Sequence, residues 1–145
     1  VRVKFRGNFP AKVDSQGRLK IPTAHLAVFN EHYGAELFVT SYNGDHIILY
    51  PKKEWEQIEA QLLEKQNSKV KRKFLKYTGY WGQEAALDKQ GRVLLHPHLR
   101  SAAGIDGEVA VIGNLTHLAI WNNESLQQSI ESEPFTEEEL EQLGI

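Results

Sequence analysis

Among its 145 residues the chain has no cysteine and no methionine. Without thiols there is no disulfide framework, no thiolate zinc site and no cysteine nucleophile, and a reducing, cytoplasmic setting is expected. Without methionine, Val1 is not an ordinary initiator; it reads as a trimmed start or a valine-reading start codon. No apolar run approaches the ~18 residues a membrane span requires, and no signal-peptide pattern opens the sequence. There is no Gly-x-x-x-x-Gly-Lys loop to cradle a phosphate, and Ser15 has no triad context. No catalytic residue, metal site, cofactor or small-molecule substrate is therefore expected, and an enzyme is the weakest of the possible readings.

What is present is an ordinary globular balance, 41% hydrophobic and 25% charged, with a net charge of −2. The total argues against nucleic acid, but the distribution does not. Residues 1–30 hold Arg2, Lys4, Arg6, Lys12, Arg18 and Lys20 against Asp14 alone. Residues 65–83 hold Lys65, Lys69, Lys71, Arg72, Lys73 and Lys76 with no acid. From Glu131 to Glu141 there are six glutamates and no base.

One stretch occurs twice. Asp14-Ser15-Gln16-Gly17-Arg18 leads into Leu19-Lys20-Ile21-Pro22, and Asp88-Lys89-Gln90-Gly91-Arg92 leads into Val93-Leu94-Leu95-His96-Pro97, 74 positions later. Each copy opens with an acid, turns on a glycine and emerges with an arginine. Each reads as a hairpin with a cationic tip. Gly17 and Gly91 can take positive φ without steric cost, and the carboxylates of Asp14 and Asp88 can accept hydrogen bonds from the turn amides.

The flanking patterns repeat in the same order. Phe9, Ala11 and Val13 alternate with polar neighbours as a half-buried strand, and Leu19 and Ile21 point inward on the return. Pro22 opens a helical face of Leu26 and Phe29 that ends at Gly34. Residues 37–40 and 46–50 flank Asn43-Gly44 as a hairpin, and Trp55, Ile58, Leu62 and Leu63 line a helix reaching about Lys65. Asn67-Ser68 caps a second helix ending near Gly79. The second round has its turn at 88–92, a helix from His98 to Ala103, a hairpin around Gly113-Asn114 and a helix capped near Asn122. Hairpin, helix, hairpin and helix recurring in the same order mark an internal duplication. The expected divisions are a first repeat at 5–66, a connecting helix at 67–80, a second repeat at 81–130 and an acidic tail at 131–145.

One copy has too little apolar area to fold alone with ease; two can interleave strands and remove exposed edges. The expected fold class is mainly β with short helices (α+β), built from two internal repeats. The paired Asp-x-x-Gly-Arg turns, Phe5-Arg6-Gly7 and the Lys73-to-Gly79 segment resemble the MraZ family of bacterial transcriptional regulators over about residues 5–128. That family is similar to the AbrB/SpoVT superfamily. The resemblance implies a double swapped-hairpin β-barrel, a ring-shaped homo-oligomer and nucleoid-associated binding of double-stranded DNA. It also implies repeated boxes in the protein's own promoter region, upstream of the division and cell-wall gene cluster. One departure is His96-Pro97, where second copies in the family tend to carry Pro-Pro.

On this reading Arg18 and Arg92 contact DNA, since arginine suits both bidentate phosphate binding and guanine readout. Lys20, Lys12 and Lys4 are phosphate partners that position without reading sequence, and Lys89, Gln16 and Gln90 share the tips. Asp14, Gly17, Asp88 and Gly91 brace the turns. For an arbitrary hairpin arginine, a solvated loop charge is the commoner explanation; the duplication and the resemblance reverse that here. His96 and His98 read as surface histidines rather than metal ligands. Trp55, Trp81 and Trp121 read as core or subunit contacts. The basic 69–76 segment reads as a solvated helix face or an assembly surface. The rival function is a non-DNA protein-interaction or assembly module on the same scaffold.

Overall fold

The computed structural model describes residues 4–145; Val1 and Arg2, with the readings that fall on them, lie outside the described residues. The first repeat runs β1 (Phe5–Lys12), β2 (Arg18–Lys20), α1 (Thr23–Val28) with a π-helical turn at Phe29–Tyr33, β3 (Glu36–Thr40), β4 (Ile47–Pro51) and α2 (Lys52–Glu64). The connecting helix is α3 (Lys69–Tyr80), started by the Ser68 hydroxyl accepting from the Lys71 amide at 3.1 Å. The second repeat runs β5 (Gln83–Ala86), β6 (Arg92–Leu94), α4 (Pro97–Ala103), β7 (Glu108–Leu115), β8 (Leu118–Asn122) and α5 (Asn123–Ser132). The tail forms α6 (Glu137–Gln142).

The strands exchange between repeats. A six-stranded antiparallel sheet has the order β1-β7-β8-β4-β3-β5, and a two-stranded ribbon pairs β2 with β6. Exchange each strand for its counterpart in the other repeat, and the six-strand order reads the same backwards. A pseudo-two-fold axis therefore passes between β4 and β8, where Ile48 pairs with Ala119. It passes again through the ribbon, where Leu19 pairs with Val93. The first strand of each repeat lies on the hairpin of the other, β1 on β7 and β5 on β3. This is the expected swapped-hairpin arrangement, mainly β with short helices. Its ladder comes as two sheets, linked beside the first turn by the bridge of Val13 with Leu19.

The core fills the space between sheet and ribbon. Phe5, Leu19, Ile21, Phe29, Val39, Leu49, Val93, Leu95, Leu99, Val111 and Ile120 are all buried there. His25 is buried beside Phe5, and its Nε2 lies 3.3 Å from the Val111 carbonyl; burial lowers its pKa. Alternation along β4 sends Ile48 and Tyr50 to the other face of the sheet, against Trp55 of α2, with Phe74 of α3 packed beside them. So α2 and α3 lie across the large sheet from the ribbon.

Two local expectations shift. The second hairpin turns at Thr116-His117, not at Gly113-Asn114, because β1 pairs along β7 as far as Leu115 and the ladder extends the strand. Phe9 is part exposed, because β1 is an edge strand; its ring meets His25 edge-on at 5.0 Å. Among the described residues no helix is long and apolar enough to cross a membrane.

Candidate nucleic-acid interface

The two turns have the same internal geometry. Asp14 Oδ1 accepts from the amides of Gln16 and Arg18 at 2.9 Å each, and Oδ2 accepts from Arg18 Nε at 3.0 Å. Asp88 does the same with Gln90, Arg92 and Arg92 Nε, at 2.9, 2.9 and 3.0 Å. The loops close through Asp14 N to Arg18 O and Asp88 N to Arg92 O, both 2.9 Å. Gly17 and Gly91 sit at φ of 84° and 75°, where a side chain would be strained. One carboxylate thus satisfies two turn amides and holds one arginine. The Arg18 and Arg92 amides are the foremost reason the Asp14 and Asp88 pKa values are lowered; desolvation opposes them, and the Gln16 and Gln90 amides and the guanidinium groups add to the lowering.

Only Nε of each guanidinium is engaged by the carboxylate. Among the described residues the terminal amino groups of Arg18 and Arg92 have no hydrogen-bond partner, leaving the bidentate edge for a ligand.

The ribbon then sets where both arginines go. Leu19 and Val93 point into the core, so alternation turns Arg18, Lys20, Arg92 and Leu94 to the outer face together. Arg18 pairs with Leu94 and Lys20 with Arg92. The two arginine Cα atoms are therefore roughly 8 Å apart, from about 3.3 Å per residue along the strand and ~5 Å across the ladder. The turns are also tied to each other, through Ile21 N to Gly91 O at 3.0 Å and Leu95 N to Gly17 O at 2.9 Å.

The remaining candidates fall around this face. Gln16, Lys89 and Gln90 are exposed at the tips, and Lys12 is exposed at the end of β1 two residues before Asp14. Lys20 is exposed, but its ammonium donates to the Gln90 carbonyl, so it also braces the opposite turn. Lys4 precedes the far end of β1, some ~25 Å of strand from the first turn. His98 stacks on Trp81 at 4.7 Å and meets Tyr80 edge-on at 4.9 Å. Among the described residues no group of three histidine, aspartate or glutamate side chains is placed to hold a metal.

Sequence reading missed Arg100. Its Nε donates to the Leu95 carbonyl at 3.0 Å, and its guanidinium lies directly beneath Gly17, where a Cβ would meet it at 2.7 Å. The counterpart position in the first repeat is Leu26, which packs beneath Gly91. The two turns are thus alike in backbone and different in support. The available signal was the Leu26/Arg100 mismatch at offset 74.

Similarity to known proteins follows the same division. The family model described as "MraZ protein, putative antitoxin-like" matches residues 5–76 and 82–144. The chain is 41% identical over 141 residues to a protein of Acidobacterium capsulatum named transcriptional regulator MraZ, covering 97% of each. It is 43% identical over 146 residues to the protein of that name from Koribacter versatilis, covering 97% of this chain and 99% of the relative. A third relative of the same name, from Syntrophobacter fumaroxidans, is 38% identical over 119 residues, 81% of this chain and 79% of its own. Both halves of the duplicated chain match, and the first two relatives align along nearly their whole length, so the chain belongs to the MraZ family.

Proposed function

We propose that this chain is a sequence-specific, DNA-binding transcriptional regulator. It binds repeated boxes in its own promoter region, upstream of the division and cell-wall gene cluster, as a cytoplasmic, nucleoid-associated homo-oligomeric ring. The relatives' shared name supports regulation. The observation that carries the DNA reading is the shared outer face of the β2–β6 ribbon. Two arginines emerge there side by side, each braced by an aspartate on Nε. Their separation of roughly 8 Å spans about two base-pair steps at ~3.4 Å per step. Arg18 and Arg92 make the principal contacts with phosphate or base edges, and Lys12, Lys20, Lys89, Gln16 and Gln90 flank them. Asp14, Gly17, Asp88 and Gly91 hold the turns in shape. The repeats are proposed at 5–66 and 81–130, joined by the 67–80 helix and followed by the 131–145 tail.

Each copy offers few contacts, so affinity comes from several copies engaging one duplex. The test is footprinting and gel shift with DNA from upstream of the protein's own gene. Protection of repeated boxes is expected. Arg18→Ala should lose most of the binding and the Arg18→Ala/Arg92→Ala double variant nearly all, with an unchanged circular dichroism spectrum. Tight binding by the folded double variant would remove the mechanism. The net charge of −2 favours the second reading, an interaction or assembly module. Unshifted duplexes together with a co-purifying protein would support it.

A further inference from the structure

Two helices away from the ribbon, α3 and α6, have opposite surfaces. Helix α3 carries Lys69, Lys71, Arg72, Lys73 and Lys76 with no acid, yet it also exposes Val70 (76%) and Tyr80 (64%). Two adjoining clefts of about 230 and 330 Å³ run between it and the β3–β4 hairpin tip. Tyr77 and Asn43 line both; Phe74 and Lys73 belong to the first, Trp81 and Lys76 to the second. The Nζ atoms of Lys73 and Lys76 lie 5.7 and 5.9 Å from the Tyr77 ring centre. The surface is thus a pair of apolar slots with cations beside them.

Helix α6 has the complementary chemistry. It is preformed by a capping box, in which Glu139 N donates to Thr136 Oγ1 at 3.2 Å and Thr136 N to Glu139 Oε1 at 3.0 Å. Phe135 (68% exposed) stands just before the cap and Leu140 four residues after it, the positions of a hydrophobic staple; Leu143 (64%) follows. No residue of α6 is buried, and among the described residues no hydrogen bond or ion pair links it to α3. Glu137, Glu138 and Glu141 supply the charge.

We propose that the slots along α3 receive the Phe135–Leu143 segment of a second copy of this chain. Phe135 and Leu140 enter the apolar clefts, and Glu138 and Glu141 face Lys73 and Lys76. This is helix-in-groove recognition, guided by charge. Donor and acceptor surfaces differ, so each copy keeps one of each for the next neighbour. A single such contact is smaller than a standard interface of about 1,600 Å², so its strength comes from repetition. The inference rests on the homo-oligomeric part of the function proposed above, not on DNA contact, because α3 lies across the large sheet from the ribbon.

The test is sedimentation of the full chain over a range of concentrations. Three proteins are compared: wild type, Lys73→Glu/Lys76→Glu and Glu138→Lys/Glu141→Lys. Wild type should associate. Each charge reversal should weaken association about tenfold or more. An equimolar mixture of the two variants should recover it, while circular dichroism stays unchanged throughout. Wild-type association by both variants would overturn the inference and leave the assembly reading standing, with copies joined elsewhere. A mixture that fails to recover would overturn the pairing. A wild type that stays monomeric throughout would overturn both.

Discussion

At the residue scale the site depends on what one carboxylate can do. Asp14 has two oxygens; one takes two amides and the other takes a guanidinium Nε. The charge that would repel a phosphate is consumed within the turn, and among the described residues nothing engages the arginine's outer edge. A carboxylate whose pKa is lowered contributes stability above its unfolded value of 3.8 and loses it as pH falls through the folded value. The Arg18 and Arg92 Nε–H signals in NMR spectra should therefore stay protected near neutrality. They should broaden together once the pH drops below 3.8, since Asp88 shifts in the same direction for the same reason. Glycine matters equally. At φ of 84°, Gly17→Ala should destabilise the fold by about 1 kcal/mol or more, read from the urea midpoint.

The element scale explains why three-residue strands suffice. Neither β2 nor β6 is long enough to be stable alone, but each supplies the other's partner and both rest on the core through Leu19 and Val93. That buried pair lies on the pseudo-symmetry axis and fixes which face the arginines take. Leu19→Ala should cost about 2–5 kcal/mol by leaving a cavity there. It should weaken DNA binding through both turns at once, which distinguishes it from Arg18→Ala. Thermal melts and gel shifts on the same protein would separate the two effects. The supports below the turns differ, Arg100 under Gly17 and Leu26 with Lys20 under Gly91, so the two tips need not contribute equally.

The whole molecule separates its charges by surface. Cations gather at the ribbon and on α3, the tail from Glu131 to Glu141 carries six glutamates and no base, and the sum is −2. DNA binding should follow the ribbon and ignore the sum. The logarithm of affinity should fall with the logarithm of salt at a slope of about −0.9 per phosphate engaged, and Arg18→Ala should flatten it by about one for each copy bound. A salt-independent titration would speak against phosphate contact.

Much of this was legible in the chain itself. The spacing of the duplicated turns, the aspartate and glycine that each turn requires and the alternation of Leu19 and Ile21 follow from local geometry, which the sequence alone determined. So did most element boundaries, because caps and hairpin signals act over a few residues: Ser68 starts α3, and Asn43-Gly44 lies at its expected tip. Local signals could not carry pairing between residues far apart in sequence. Small apolar area predicted that the copies interleave, but that β1 lies on β7 came with the family resemblance, and the extension of β7 to Leu115 follows from that partner. Arg100 under Gly17 and Lys20 against Gln90 are also contacts between repeats. The tertiary structure decided these, since only packing the two repeats about one core brings the turns onto one face.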